Sequence, residues 1–228
     1  LSLNHQSQDG RFAISLSGSY LINNNTLPRE DVSRRITLAP NAPKLYLPSG
    51  ALNWENLTWI NPMSFLERWF NNKTHVFNST LSISYKISKW LQAKISNGYS
   101  RQYLKEHGIT PQKSFNPATI SASSATFGRT ELQTLITEPQ LLYNWQVKKH
   151  AIDAVAGMTI QQTDQQNLQQ TGTGYSSDAL LYSIQAASTV STTIDRETRY
   201  RYTGQFARIG YQYARKYLAT VTARRDGS

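Results

Sequence analysis

Apolar and polar residues alternate along most of this chain with a period of two, the spacing of a strand that buries one face. From Arg11 to Ile22, Phe12, Ile14, Leu16, Gly18, Tyr20 and Ile22 fall on one face, and Arg11, Ala13, Ser15, Ser17 and Ser19 on the other. The same alternation recurs at about 75–87, 90–101, 131–147 (less regularly), 150–162, 205–213 and 217–225, which predicts seven strands. The first is about as long as a tilted strand that crosses a bilayer, on the order of 9–11 residues.

The connections between these strands alternate in length. Ser88-Lys89, Lys148-Lys149 and Ala214-Arg215-Lys216 read as tight turns, whereas about 23–74, 102–128 and 163–203 read as long polar loops. Loops beyond about 15 residues are uncommon in compact domains. A transmembrane barrel accounts for them, with short turns on one side of the membrane and long loops on the other. Tyr85, Trp90, Tyr143, Trp145, Tyr213 and Tyr217 gather beside the short turns, where an interfacial aromatic girdle is expected. Arg11, Lys86, Lys94, Asp153 and Arg208 fall on the polar face and are expected to line a lumen. Pro139 lies inside the fourth strand, and a bulge near Glu138 is the expected accommodation.

Composition sharpens the picture. Of 228 residues, 39% are hydrophobic and only 17% are charged, with 17 Gln and 15 Asn supplying much of the polarity. No apolar run reaches the length of a membrane helix. The chain has no cysteine, which removes disulfide scaffolds, thiol catalysis and zinc knuckles. A net charge of +10 raises nucleic acid as a partner, but the cations are scattered singly or in pairs such as Arg34-Arg35, so no nucleic-acid partner is expected. The chain opens Leu1-Ser2-Leu3 without Met or a signal peptide and closes on Asp226-Gly227-Ser228, as a piece of something longer would.

Several segments are similar to a known family. The runs 38–46 (Leu-Ala-Pro-Asn-Ala-Pro-Lys-Leu-Tyr), 50–55 (Gly-Ala-Leu-Asn-Trp-Glu), 61–66 (Asn-Pro-Met-Ser-Phe-Leu) with 71–74, 174–181, and above all the closing hairpin 207–228 resemble SusC/RagA-type TonB-linked outer-membrane proteins. The resemblance implies an all-β, antiparallel segment of a barrel of about 22 strands, in the outer membrane of a gram-negative bacterium. It also implies import of oligosaccharides or peptides, a SusD-like surface lipoprotein as lid, outer-membrane lipid around the wall, and TonB reached through an N-terminal segment. Neither a plug nor a TonB box is evident in this sequence. The alternatives from other classes are an adhesin-like surface module and a soluble β-rich carbohydrate-binding protein or enzyme.

Candidate chemistry is sparse. His5, His75, His107 and His150 stand apart without metal-ligand spacing, and Gly172-Thr173-Gly174 lacks the helix of a phosphate cradle. Glu131 and Glu138 are an odd number of residues apart on one strand and so face opposite ways, unlike a hydrolytic carboxylate pair. Neither a catalytic set, a metal site nor a cofactor is expected. The binding candidates are Tyr46, Trp54, Trp59 and Trp69 in the first long loop, with Phe65 and Phe70 beside them, since exposed aromatic rings stack on sugars and anchor interfaces. A short helix is expected over Ser64–Phe70, after Asn61-Pro62.

Overall fold

A computed structural model describes residues 1–33, 37–55, 58–119 and 121–228. The strands are β1 (Ser2–Gln6), β2 (Phe12–Pro28), β3 (Trp69–Lys86), β4 (Leu91–Thr110), β5 (Ser124–Val147), β6 (His150–Thr173), β7 (Thr189–Tyr213) and β8 (Tyr217–Gly227). They form one open antiparallel sheet in chain order, each strand paired with the next. Among the described residues there are thus eight strands where the alternation predicts seven. The additional strand, β1, offers little apolar alternation of its own and is placed by its register, Leu3 opposite Leu16 and His5 opposite Ile14. Among the described residues no helix is long and apolar enough to cross a membrane, which leaves crossing by strands untouched.

The register confirms that the apolar positions share one face. Ile14, Ile83, Ile95 and Pro139 lie side by side across β2 to β5, and Leu16, Leu81, Asn97 and Thr137 form the adjacent row. Thr137 finds a partner within this apolar face, its hydroxyl donating to Asn97 Oδ1 at 2.9 Å. Such pairing is what a polar group needs where no water reaches it. On the opposite face Ser15, Ser82 and Ser96 make a row of small polar side chains, with Ser17 and Thr80 beside them.

The strands run well past their predicted ends. β4 continues to Thr110, β5 begins at Ser124, and β6 and β7 together absorb most of the segment expected as a loop over 163–203. The long connections shrink to 29–68, 111–123 and 174–188. Beyond about Tyr99, Leu135 and Ile160 both faces turn polar, so the period-two signal vanishes although the ladder of backbone hydrogen bonds does not. Cross-strand polar pairs replace apolar ones there: Arg101 reaches Glu131 at 2.6 Å and Arg199 reaches Asp164 at 2.5 Å.

At Pro139 the expected bulge is not present. Residues on either side keep one register with β6, Thr137 opposite Ile160 and Gln140 opposite Gly157, and the ladder merely skips Glu138 and Pro139. Gly157 makes this possible: a Cβ there would meet the Pro139 carbonyl at 2.9 Å and the Phe206 ring at 2.8 Å. The irregularity in the sheet falls instead between Gln169 and Gln170, against β7.

Candidate functional site

The three long connections gather at one end of the sheet as a cap. The first is built around a polar centre rather than an aromatic one. Asn61, fully buried, donates from Nδ2 to the Leu45 carbonyl at 2.6 Å and to the Asn53 carbonyl at 3.0 Å. Its Oδ1 accepts from Met63 N at 2.9 Å, capping a single turn of 3-10 helix at Pro62–Phe65. The helix expected over Ser64–Phe70 stops there, because β3 has already begun at Trp69. Asn53 donates to the Lys44 carbonyl at 2.8 Å, and a bridge between Tyr46 and Leu52 closes a small hairpin.

Arg68 joins the first connection to the second. Its Nε donates to the Ser114 hydroxyl at 3.1 Å and a terminal nitrogen to the Ser114 carbonyl at 3.3 Å, while its guanidinium lies 4.9 Å from the Phe115 ring and 5.0 Å from Phe65. Glu30 lies 3.4 Å away, and Glu67 pairs with Lys113 alongside. The third connection is tied on by Asp178, whose carboxylate accepts from Gln112 N at 2.6 Å and Lys113 N at 3.2 Å.

That third connection folds down over the apolar face. Tyr175 and Leu181 pack on Ile109 and Ala125, with Trp69, Phe127, Ala186 and Ala187 around them. His107 lies beneath, its Nε2–H donating to the Leu181 carbonyl at 2.9 Å, its ring stacked 4.6 Å from Phe127 and edge-on to Trp69 at 5.3 Å. His107 stands near the upper end of β4, beyond the apolar band. Burial there holds its pKa below the ordinary histidine value, an effect partly offset by the Leu181 bond and reinforced by Lys105. Burial likewise raises the Tyr175 phenol, whose hydroxyl is enclosed without a partner.

The predicted site residues sort unevenly. Tyr46 is half exposed, and Trp54 and Trp59 are partly buried in the first connection, the Trp59 Nε1 being enclosed without an acceptor. Trp69 is not in that connection: it opens β3 and packs under the third. Lys86, Lys94, Asp153 and Arg208 fall on the small-polar face by register, Arg11 lies directly before β2 with its carbonyl accepting from Lys86 N at 2.8 Å, and Arg208 reaches Asp153 at 3.1 Å. Tyr85, Tyr143, Trp145, Tyr213 and Tyr217 share the apolar face beside the short turns. Trp90 departs from them. It sits in the turn at 87–90, its carbonyl accepting from Asn144 N, with Lys89 Nζ 4.4 Å over its ring. The pattern did not point to Asn61, Arg68, His107, Ser114 or Asp178. Only Asn61 carried a local signal, as a side-chain acceptor directly before a proline.

No family model matches the chain. Among curated proteins it is similar to the TonB-dependent receptor P39 of Formosa agariphila, 26% identical over 175 residues that make up 74% of this chain. TonB-dependent receptor P3 of the same organism is 24% identical over 68% of the chain. Among solved structures, the RagAB peptide transporter superposes over 99% of the chain with a TM-score of 0.75 at 15% identity. The open-open state of the RagAB peptide importer superposes with a TM-score of 0.73. The chain thus has the fold of part of the barrel in the RagAB transporter. It spans 16% of the length of each curated relative and 27% of the RagAB chain that it superposes on. Its sheet has an apolar face, a small-polar face, and a cap made from the long connections.

Proposed function

We propose that this chain is part of the wall and external cap of an outer-membrane importer energised through TonB. The observation that carries the reading is the two-faced sheet with alternating short and long connections, in a chain similar in sequence to TonB-dependent receptors. In this reading the apolar face meets lipid. Arg11, Lys86, Lys94, Asp153 and Arg208 face the lumen, where charge is tolerated and tunes what passes. The five aromatic residues beside the short turns and on the apolar face, from Tyr85 to Tyr217, form the periplasmic girdle.

A SusD-like lipoprotein covers the cap, and an oligosaccharide or peptide is the cargo. The relatives bear the names of receptors and transporters rather than of enzymes, and a solved neighbour is a peptide transporter. TonB contacts a part of the protein other than this wall. Tyr46, Trp54 and Trp59 are the proposed contacts for lid or cargo, being aromatic and at least partly accessible on a connection whose shape Asn61 fixes. Trp69 loses that role, since it is occupied under the third connection.

The test is made on the full-length protein in its native membrane. Outer-membrane fractionation and a heat-dependent shift in gel mobility are expected, together with a co-purifying surface lipoprotein. The double variant Trp54→Ala, Trp59→Ala is expected to keep the mobility shift and to lose most of the lipoprotein or cargo binding. Recovery in the soluble fraction would refute the wall assignment, and undiminished lid and cargo binding would refute the aromatic contacts.

A further inference from the structure

The apolar face carries, above its apolar band, a row of three cations. Lys73 of β3 lies directly opposite Lys105 of β4, and Lys105 directly opposite Arg129 of β5. All three are exposed, and none forms an ion pair among the described residues. Glu131, two positions from Arg129 on the same face, is taken by Arg101 at 2.6 Å. Side chains directly opposite on neighbouring strands stand about 5 Å apart, and like charges so placed repel. Glu131 also feels the charge of Arg129, so the chain balances the row only in part, and three cations in succession leave room for a further anion.

Position decides which anion. Lys105 is fourteen residues along β4 from Leu91, which lies at the short-turn end. At about 3.4 Å per residue and a tilt of about 40°, that is roughly 36 Å along the membrane normal. An apolar band is about 25 Å tall, and a bilayer with its headgroups about 40–45 Å thick. The cations therefore stand at headgroup height on the external side. Their surroundings suit that level. Directly below, Tyr20, His75, Phe77, Tyr99 and Tyr103 form an aromatic and polar shelf, with the Tyr20 hydroxyl 2.6 Å from His75 Nδ1. Directly above, the third connection rests on His107 and Phe127 and leaves the Lys105–Arg129 row uncovered.

We propose that Lys73, Lys105 and Arg129 bind the phosphate groups of an outer-leaflet glycolipid headgroup. The inference rests on the membrane-wall reading above and adds a lipid site to it. Arg129, its guanidinium carbon 5.9 Å from the Tyr103 ring, offers a planar fork for a phosphate oxygen pair, while the lysines act as point charges beside it.

The full-length protein, extracted from outer membranes and reconstituted in nanodiscs, is titrated with bis-phosphorylated lipid A, with dephosphorylated lipid A and with inorganic phosphate alone. At about fivefold per cation, the triple variant Lys73→Gln, Lys105→Gln, Arg129→Gln is expected to bind phosphorylated lipid A about a hundredfold more weakly. The charge-keeping variant Lys73→Arg, Lys105→Arg is expected to bind like the parent. Dephosphorylated lipid A is expected to bind weakly to all three proteins, and millimolar inorganic phosphate not to displace the lipid. Equal binding by parent and triple variant, equal binding of the two lipids, or displacement by inorganic phosphate would each overturn the proposal. Absence from the outer membrane overturns the wall reading and this one with it. Normal insertion with unchanged lipid binding overturns this one alone.

Discussion

Arg68 Nε and the Ser114 hydroxyl, 46 residues apart in sequence, meet at 3.1 Å and fasten the first external connection to the second. Ser114 is itself fully buried, its hydroxyl donating to the Pro111 carbonyl at 2.8 Å. The Arg68→Ala variant is expected to lose roughly 2–4 kcal/mol of local cap stability, since charged hydrogen bonds and ring contacts go together. Hydrogen exchange over 111–117 should accelerate while exchange in β4 and β5 stays slow. Unchanged exchange would show that the two connections are held by other contacts.

Asn61 tests the first connection separately. Its side chain satisfies two carbonyls and caps one turn. With Asn61→Ala the buried Asn53 carbonyl loses its side-chain donor, at about 1–3 kcal/mol, while the Leu45 carbonyl keeps only its bond from Asn53 N. Faster proteolysis between Lys44 and Met63 is expected, with barrel assembly intact. Asn61→Asp is expected to be comparably harmful, because a carboxylate cannot donate to carbonyls.

The two faces of β3 make opposite predictions for one substitution. Ile83→Arg places a cation on the apolar face near mid-height, at a cost of about 2–4 kcal/mol, and should sharply reduce assembled protein in the outer membrane. Thr80→Arg, on the face of Ser17 and Gly98, should be tolerated. Heat-modifiable gel mobility and membrane yield measure both. Equal yields would reverse or void the assignment of faces.

His107 gives the cap a pH dependence of definite sign. Its folded pKa lies below the unfolded value because burial disfavours the charged ring, so the unfolded form takes up protons first. Its contribution is therefore complete above about pH 6.5 and declines as the pH falls through that value toward the lower folded pKa. Protection of 174–188, measured relative to the intrinsic exchange rate at each pH, should fall between about pH 7 and 5. The His107→Gln variant, which retains a donor but cannot titrate, should flatten that response.

How much of this was legible in the sequence follows from which environment imposed it. Lipid demands apolar side chains at every second position, so the halves of β2 to β8 from Phe12 and Ile83 to Val221 announced themselves. The upper halves did not. Arg101–Glu131 and Arg199–Asp164 hold strands together by polar pairs, which a hydrophobic alternation cannot reveal. Ser2–Gln6 escaped for the same reason, being fixed by its partner β2. The aromatic cluster in the first connection was visible as composition, but its organiser is a buried asparagine. Arg68, Ser114 and Asp178 act through partners dozens of residues away and left no local mark. Pro139 misled, because the relief lies on β6, where Gly157 admits the proline carbonyl without a bulge.

The sheet's open form carries a consequence for assembly. β1 and β8 each pair with one neighbour among the described residues, so the far side of each presents bare N–H and C=O groups. In hydrocarbon every such group is penalised by several kcal/mol, so a whole margin together outweighs any single side chain described here. In the proposed membrane setting, insertion is accordingly expected to be all-or-none. The sheet is stable in lipid only when both margins are matched by further strands at the same time, so a lesion on the lipid-facing side of β3 should be felt as loss of the assembled wall rather than as local fraying.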